Sequence, residues 1–357
     1  MRLDSLRTRI TQHNLDGFLI TDPVNRRYVT GFSGTAGWAF VTDDHALLAV
    51  DFRYFERAAR EAPDWEQVRV KTRLEDTLVE MVARTGVKRL GYEGDHVTVS
   101  LYNKLAELVP EVELVPVDKM VLPLREFKDK AELASLRAAI ACADEAFAHL
   151  CTVLRPGMSE REVAWELEQH MRQHGASATS FELIVGSGPN GAMPHATAGE
   201  RVLRAGEPIV MDFGCVVDGY CSDITRTLSL GTGDERYDEI WHLVLEAQLA
   251  VETRVRPGMN GKEVDAIARD IFTAAGYGEH FGHGLGHGVG LAIHEDPYLG
   301  MLAEETILQP GMVFTVEPGL YFPGWGGVRI EDIVLLGEDG AEVLTQAPKE
   351  AVLPLQM

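Results

Sequence analysis

Long apolar runs are missing from this sequence. Nowhere do eighteen or so such residues follow one another, so no transmembrane helix is expected. Basic residues are scarce: 33 Lys and Arg stand against 55 Asp and Glu, for a formal charge of −22. A chain this acidic binds a phosphate backbone or an anionic membrane poorly, which excludes nucleic acid and membrane as expected partners. It suits cations well. Cysteine is also rare, and Cys142, Cys151, Cys215 and Cys221 form no CxxC pair. That argues against a thiolate zinc site or a disulfide scaffold, and for reduced thiols in a cytosol. The opening MRLDSLRTRITQHNLDG lacks the apolar core of a signal peptide, so a cytoplasmic location is expected. With 45% apolar and 25% charged residues, the chain lies outside the disordered, collagenous and low-complexity classes.

At 357 residues the chain exceeds the roughly 250–300 that one hydrophobic core serves. Two domains are expected, residues 1–122 and 123–357. The first reads as a small α/β unit. It has an opening amphipathic helix (Leu3, Leu6, Ile10), a strand at Phe18–Ile20, strands on either side of Asp43-Asp44, another at 88–92, and a helix over 100–108. No His, Cys or carboxylate cluster falls there, so its expected role is packing or dimerisation. The second domain contains a repeat. LRPGMSEREV (Leu154 to Val163) returns as VRPGMNGKEV (Val255 to Val264), and LRAGEPIVMDFG (Leu203 to Gly214) returns as LQPGMVFTVEPG (Leu308 to Gly319). Ser159 with Glu162 and Asn260 with Glu263 are capping-box pairs, and Gly175 and Gly276 mark helix ends. The reading is two related halves, each a helix followed by an antiparallel hairpin, sharing one sheet.

Acids lie where strand formers should be. Asp212 interrupts PIVMDFGCVV, and a buried carboxylate costs several kcal/mol unless it is paired or bound to a cation. Asp218-Gly219 is a two-residue hairpin turn. With Val217 opposite Tyr220, Asp223 falls opposite Gly214 and Asp212 opposite Thr225, so all four share one face. Glu317 ends MVFTVEP and Glu331 sits in GVRIEDIVLL. The only bases in these strands are Arg226 and Arg329. Bridges from Asp223 to Arg226 and from Glu331 to Arg329 are the alternative, but only the second pair shares a face. Four acids at equivalent repeat positions favour metal. Thr225 is placed to hydrogen-bond a ligand carboxylate, and Arg329 to orient Glu331.

Histidine gathers between the hairpins, in HFGHGLGHGVGLAIHEDP. Glycine density there argues against a helical pair of His283 and His287. One imidazole with several carboxylates suits Mn²⁺, Co²⁺, Fe²⁺ or Zn²⁺, and five ligands imply two ions. Gly186 to Gly191 is a formal GxGxxG, but Pro189 and the absence of a following helical period argue against a nucleotide site.

The motifs MDFG…DGYCSDITRT, GHGLGHGVGLAIHEDP, TVEPG and VRIEDIV resemble those of the pita-bread metallopeptidases, the family of methionine aminopeptidase, aminopeptidase P and prolidase. The likeness spans the chain. It implies an α/β (α+β) architecture: a pita-bread catalytic domain with a pseudo-twofold repeat, preceded by a creatinase-type N-terminal domain. That extra domain points to the prolidase and aminopeptidase P branch. The resemblance puts metal ligands at Asp212, Asp223, His287, Glu317 and Glu331, whose spacings of 11, 64, 30 and 14 agree with the family layout. A complete ligand set separates this chain from creatinases and from metal-free binding relatives.

The resemblance further implies two divalent ions, Mn²⁺ or Co²⁺ first, with Zn²⁺ or Fe²⁺ as alternatives. His195 and His294 would bind substrate and stabilise the oxyanion, with His283 in support, and Glu317 would carry the proton to the leaving nitrogen. The expected reaction is hydrolysis of an Xaa-Pro bond in dipeptides or short peptides, by a homodimer. Dipeptidase action is preferred to aminopeptidase P action, with a non-catalytic binding module as the reading from another class. One departure stands out. Tyr298 occupies a place where some prolidases carry an arginine for the dipeptide carboxylate, so that role would pass to another arginine or to the partner subunit.

Overall fold

The computed structural model describes residues 2–355 and divides into two units, Met1–Arg125 and Glu126–Met357. In the first, α1 (Arg2–Gln12) turns Leu6 and Ile10 inward and leads to β1 (Gly17–Ile20). Helix α2 (Pro23–Thr30) starts where the Asp22 side chain accepts from the Asn25 N–H, and it stops at Gly31, φ 77°. Strands β2 (Trp38–Thr42) and β3 (Ala46–Val50) flank Asp43-Asp44 as expected. Then follow α3 (Phe55–Glu61), β4 (Glu66–Arg69), α4 (Thr77–Thr85), β5 (Arg89–Glu93), α5 (Val99–Leu108), β6 (Glu113–Val117) and α6 (Leu122–Arg125). The six strands form one mixed sheet, ordered β4-β3-β2-β1-β5-β6. Every residue of β1 and β2 is buried, so both faces of the sheet centre are covered.

The second unit opens with α7 (Lys130–Val153) and α8 (Glu160–Gln173), followed by strands β7 (Ala178–Thr179), β8 (Ile184–Ser187), β9 (Pro208–Phe213), β10 (Cys215–Val217), β11 (Tyr220–Cys221) and β12 (Ile224–Leu230). Helices α9 (Glu235–Arg254) and α10 (Gly261–Ala274) separate these from β13 (Gly286–Gly288), β14 (Glu295–Leu299), β15 (Val313–Val316), β16 (Gly319–Phe322), β17 (Gly326–Arg329), β18 (Asp332–Leu336), β19 (Ala341–Val343) and β20 (Val352–Leu353). Both repeat helices carry the expected capping boxes, Ser159/Glu162 and Asn260/Glu263. Each is followed closely by a positive-φ glycine, Gly175 or Gly276.

The halves repeat one plan. Strand β9 pairs with β12 and the chain makes a shorter β10–β11 excursion between them; β15 pairs with β18 with β16–β17 between. One shared sheet was expected, and here the structure differs. The ladders are separate, β20-β12-β9-β8 and β14-β13-β15-β18-β19. They are joined where the chain breaks between β17 and β18, by Glu331 N–H to Thr225 O at 3.1 Å. The Thr227 hydroxyl also donates to Arg329 O at 2.9 Å. A side-chain hydroxyl takes a backbone partner there, so no continuous ladder forms. Leu167, Ile209 and Phe213 belong to a core in the first half, and Val264, Phe272 and Phe314 to one in the second.

Candidate metal centre

The β9–β12 register is the one read from the Asp-Gly turn: Asp212 lies opposite Thr225 and Val217 opposite Tyr220. Regular pairing lapses at Gly214, where a Cβ would stand 1.9 Å from Ser222 O. Only glycine allows that approach, which sets Asp223 just before the start of β12, where the charge of Asp212 acts on it. His287 occupies the middle of β13 between two glycines whose Cβ atoms would strike the Thr315 and Asp296 carbonyls, at 2.1 and 2.2 Å. Glu317 follows β15 and Glu331 precedes β18, each where its strand breaks.

These breaks bring the side chains together. One ligand atom from each of Asp223, His287 and Glu331 lies within 4.8 Å of the other two, and all three residues are buried. His287 Nε2 stands 3.6 Å from Asp223 Oδ2 and 3.4 Å from Glu317 Oε1. Its Nδ1 meets Gly288 O at 3.0 Å. A carbonyl only accepts, so Nδ1 carries the proton and Nε2 turns a lone pair toward the acids. The Thr315 hydroxyl reaches Glu317 Oε1 at 3.2 Å and accepts from the His287 amide at 3.0 Å.

The two alternative bridges are not formed. Arg226 turns away and pairs with Asp332 at 2.7 Å. Arg329 was expected to orient Glu331. Its Nη2 instead donates to Asp212 Oδ2 at 2.6 Å, its Nη1 to the Tyr321 hydroxyl at 2.7 Å and its Nε to Thr225 Oγ1 at 3.0 Å. Thr225 passes its own proton to Glu331 Oε2 at 2.7 Å, so the guanidinium reaches Glu331 only through that hydroxyl. Sharing a face with Glu331 was no guide, because the break at Ile330 and Glu331 redirects the strand.

One arginine cannot neutralise four carboxylates. Burial, and then the neighbouring acids, hold the Asp223 and Glu331 carboxyls far above the usual range. Burial likewise pushes Glu317 up to about 8. The Asp212 Oδ1 oxygen is buried with no hydrogen-bond partner among the described residues. Four crowded acids, an orphaned oxygen and a bare imidazole nitrogen are the donor set of a borderline divalent ion, and these residues fit one.

Histidines surround the acids. The His294 ring sits edge-on to His287, centroids 4.3 Å apart, and feels the charge of His195 as well. His195 is exposed, and the carbonyl of the preceding Pro194 lies 3.5 Å from Arg329 Nη1. His283 bonds Gly284 O through Nδ1 and the Tyr321 hydroxyl through Nε2. Burial and the adjacent Arg329 push His283 down to about 4, so it is neutral and accepts from Tyr321. Tyr298 pairs with His287 across β13 and β14 and is half-exposed.

Three supports escaped sequence reasoning. Tyr321 joins Arg329 to His283. The wholly buried Glu160 accepts from the Ser187 amide at 2.8 Å, from Asn190 Nδ2 at 3.0 Å and from the Gly199 amide at 3.2 Å, fastening both ends of the segment that carries His195. Within the glycine-rich turn its carboxylate accepts from Ser187 and Asn190. Lys128 forms a fully buried pair with Glu295, next to His294, at 2.8 Å. Only Glu160, beside the Ser159 cap, had a local signal.

Residues 134–338 match Metallopeptidase family M24, and residues 2–127 match the Creatinase/Prolidase N-terminal domain. The chain is 38% identical to a Xaa-Pro dipeptidase of Pyrococcus furiosus, over 98% of this chain and 99% of that protein. A solved Xaa-Pro dipeptidase from Bacillus anthracis superposes with a TM-score of 0.96 at 42% identity, covering 99% of both chains. An X-Pro aminopeptidase from Thermotoga maritima superposes at 0.91 with 35% identity, over 98% of this chain and 100% of that one. With buried acids of both repeat halves meeting one histidine, and a matching profile over most of the second unit, the chain belongs to metallopeptidase family M24.

Proposed function

We propose that this protein is a cytoplasmic, homodimeric Xaa-Pro dipeptidase that uses two divalent ions, Mn²⁺ or Co²⁺. The observation that carries the reading is the meeting of Asp223, His287 and Glu331 within 4.8 Å, with an Asp212 oxygen that has no hydrogen-bond partner among the described residues. Likeness to Xaa-Pro dipeptidases along nearly the whole chain supports it. Asp212, Asp223, His287, Glu317 and Glu331 would hold the ions. Bound there, the ions lower the pKa of water and polarise the scissile carbonyl.

The chain's own residues do the rest. Arg329 and Thr225 hold Asp212 and Glu331 in place by direct hydrogen bonds. Burial keeps His294 uncharged, so it meets the developing oxyanion as a neutral N–H donor, with exposed His195 at the mouth. Glu317 moves the proton to the leaving nitrogen. In an Xaa-Pro bond that nitrogen is tertiary and offers no N–H to grip, so the substrate is held by its termini and ring.

Likeness to an X-Pro aminopeptidase supports a second reading, action on longer peptides. Product analysis on Ala-Pro and Ala-Pro-Ala with Mn²⁺, Co²⁺ and Zn²⁺ in turn decides between them. Faster release of proline from Ala-Pro is expected. Faster cleavage of the tripeptide supports the second reading, and inactivity on both after metal repletion sinks the two together.

A further inference from the structure

The hairpin of α7 and α8 carries a second cluster of ligating side chains, none of them part of the centre described above. A spacing of four puts Glu145 and His149 on one face of α7. The same spacing lines up Glu166, His170 and the capping His174 along α8. The two faces meet. His149 Nε2 lies 2.6 Å from Glu166 Oε1. The His149 and His170 rings stack with centroids 4.4 Å apart, and those of His170 and His174 at 3.9 Å. Glu145 is near enough to act on His170 electrostatically. This is not the packing surface of the hairpin, which is made by residues such as Phe147, Leu150, Val163 and Leu167.

We propose that His149, His170 and His174, with Glu166, form a binding site for an imidazole-preferring divalent cation, Zn²⁺ before Mn²⁺, that staples α7 to α8. Lone pairs are available on two of the rings, while His149 Nε2 donates to Glu166 Oε1 and both would have to release that bond to reach an ion. His174 Nδ1 meets the His170 carbonyl at 2.7 Å and so carries the proton, leaving Nε2 bare. No hydrogen bond occupies either ring nitrogen of His170 among the described residues. Burial, and then the two neighbouring imidazoles, hold His170 below its ordinary value, so it is uncharged at neutral pH. Three imidazoles and a carboxylate bind Zn²⁺ or Cu²⁺ well ahead of Mn²⁺, because nitrogen donors favour the later ions of the series.

In the structure the rings stack instead of converging. Gathering an ion requires them to turn about their side-chain bonds and His149 to leave Glu166; exposed His174 and half-buried His149 and His170 have open space on one side. An ion held this way binds the folded hairpin and not the unfolded chain, and therefore raises the melting temperature.

The test is equilibrium dialysis of the manganese-loaded enzyme against low-micromolar free Zn²⁺, followed by elemental analysis of manganese plus zinc per chain. Exchange of zinc into the peptidase centre leaves that sum unchanged, so the sum isolates the second site. The wild type should hold one more ion per chain than His149→Gln/His170→Gln, and its melting temperature should rise with added zinc by more than the variant's. His174→Ala, altering an exposed residue outside the helix, guards against a misfolded double variant and should weaken retention of the extra ion roughly tenfold or more. Ala-Pro turnover before zinc addition should be the same in all three. Equal metal sums in the wild type and both variants would overturn the site.

Discussion

Asp223 shows at the scale of one residue why a carboxylate is tolerated at a buried strand end. Burial and three neighbouring acids all penalise its charge, and no arginine or lysine among the described residues pairs with it directly. On the proposed reading a metal makes the position tenable, so Asp223→Asn should abolish nearly all turnover while leaving the fold intact. Loss of a partner that merely supports a ligand costs about 10–100-fold, and loss of a ligand should exceed that. Steady-state kinetics beside far-UV circular dichroism checks it, and retained turnover would remove the ligand role. Arg329→Lys probes the support itself. Lysine keeps the charge but cannot span Asp212, Thr225 and Tyr321 from one planar fork. An activity loss of about 10–100-fold at saturating metal is expected. Wild-type kcat in that variant would show that charge alone suffices.

At the scale of elements, what could be read from the sequence divides by distance along the chain. Capping boxes, the Asp-Gly turn and the parity that sets Asp212 over Thr225 are local, and period-two alternation makes them legible. Contacts between distant elements were not. Arg329 and Asp212 are 117 residues apart, and Lys128 and Glu295 are 167 apart. Nothing in either neighbourhood announces the partner. Glu160 lies between these cases: its place at a helix start is legible, its reach to the His195 segment is not. Glu160→Ala leaves the Ser187 and Gly199 amides without their acceptor, a cost of about 1–3 kcal/mol per buried group. Stability should fall by that order. Because the freed segment carries His195, kcat should fall further than the unfolded fraction explains, with metal content unchanged. Activity per folded, metallated chain equal to wild type would confine Glu160 to a structural role.

At the scale of the whole molecule, the proposed balance between carboxylate repulsion and cation binding should set how stability depends on pH. In chelated protein, Asp223, Glu331 and Glu317 bind protons more tightly folded than unfolded, Glu317 up to about 8. Groups with raised folded pKa values contribute stability that is complete below the unfolded carboxylate range, near about 4, and lost as pH climbs through the folded value. The chelated chain should therefore weaken between pH about 5 and about 9. Metal-loaded protein should move the other way, because its ligands must shed protons to bind the ions. The gap between the two melting temperatures should widen with pH by roughly 5 °C or more, given about 2–4 °C per kcal/mol for a domain of this size. Calorimetry of both forms across that window measures it. A gap that narrows would mean that these acids are neutralised by the protein itself and that the cation is not what they are crowded together to hold.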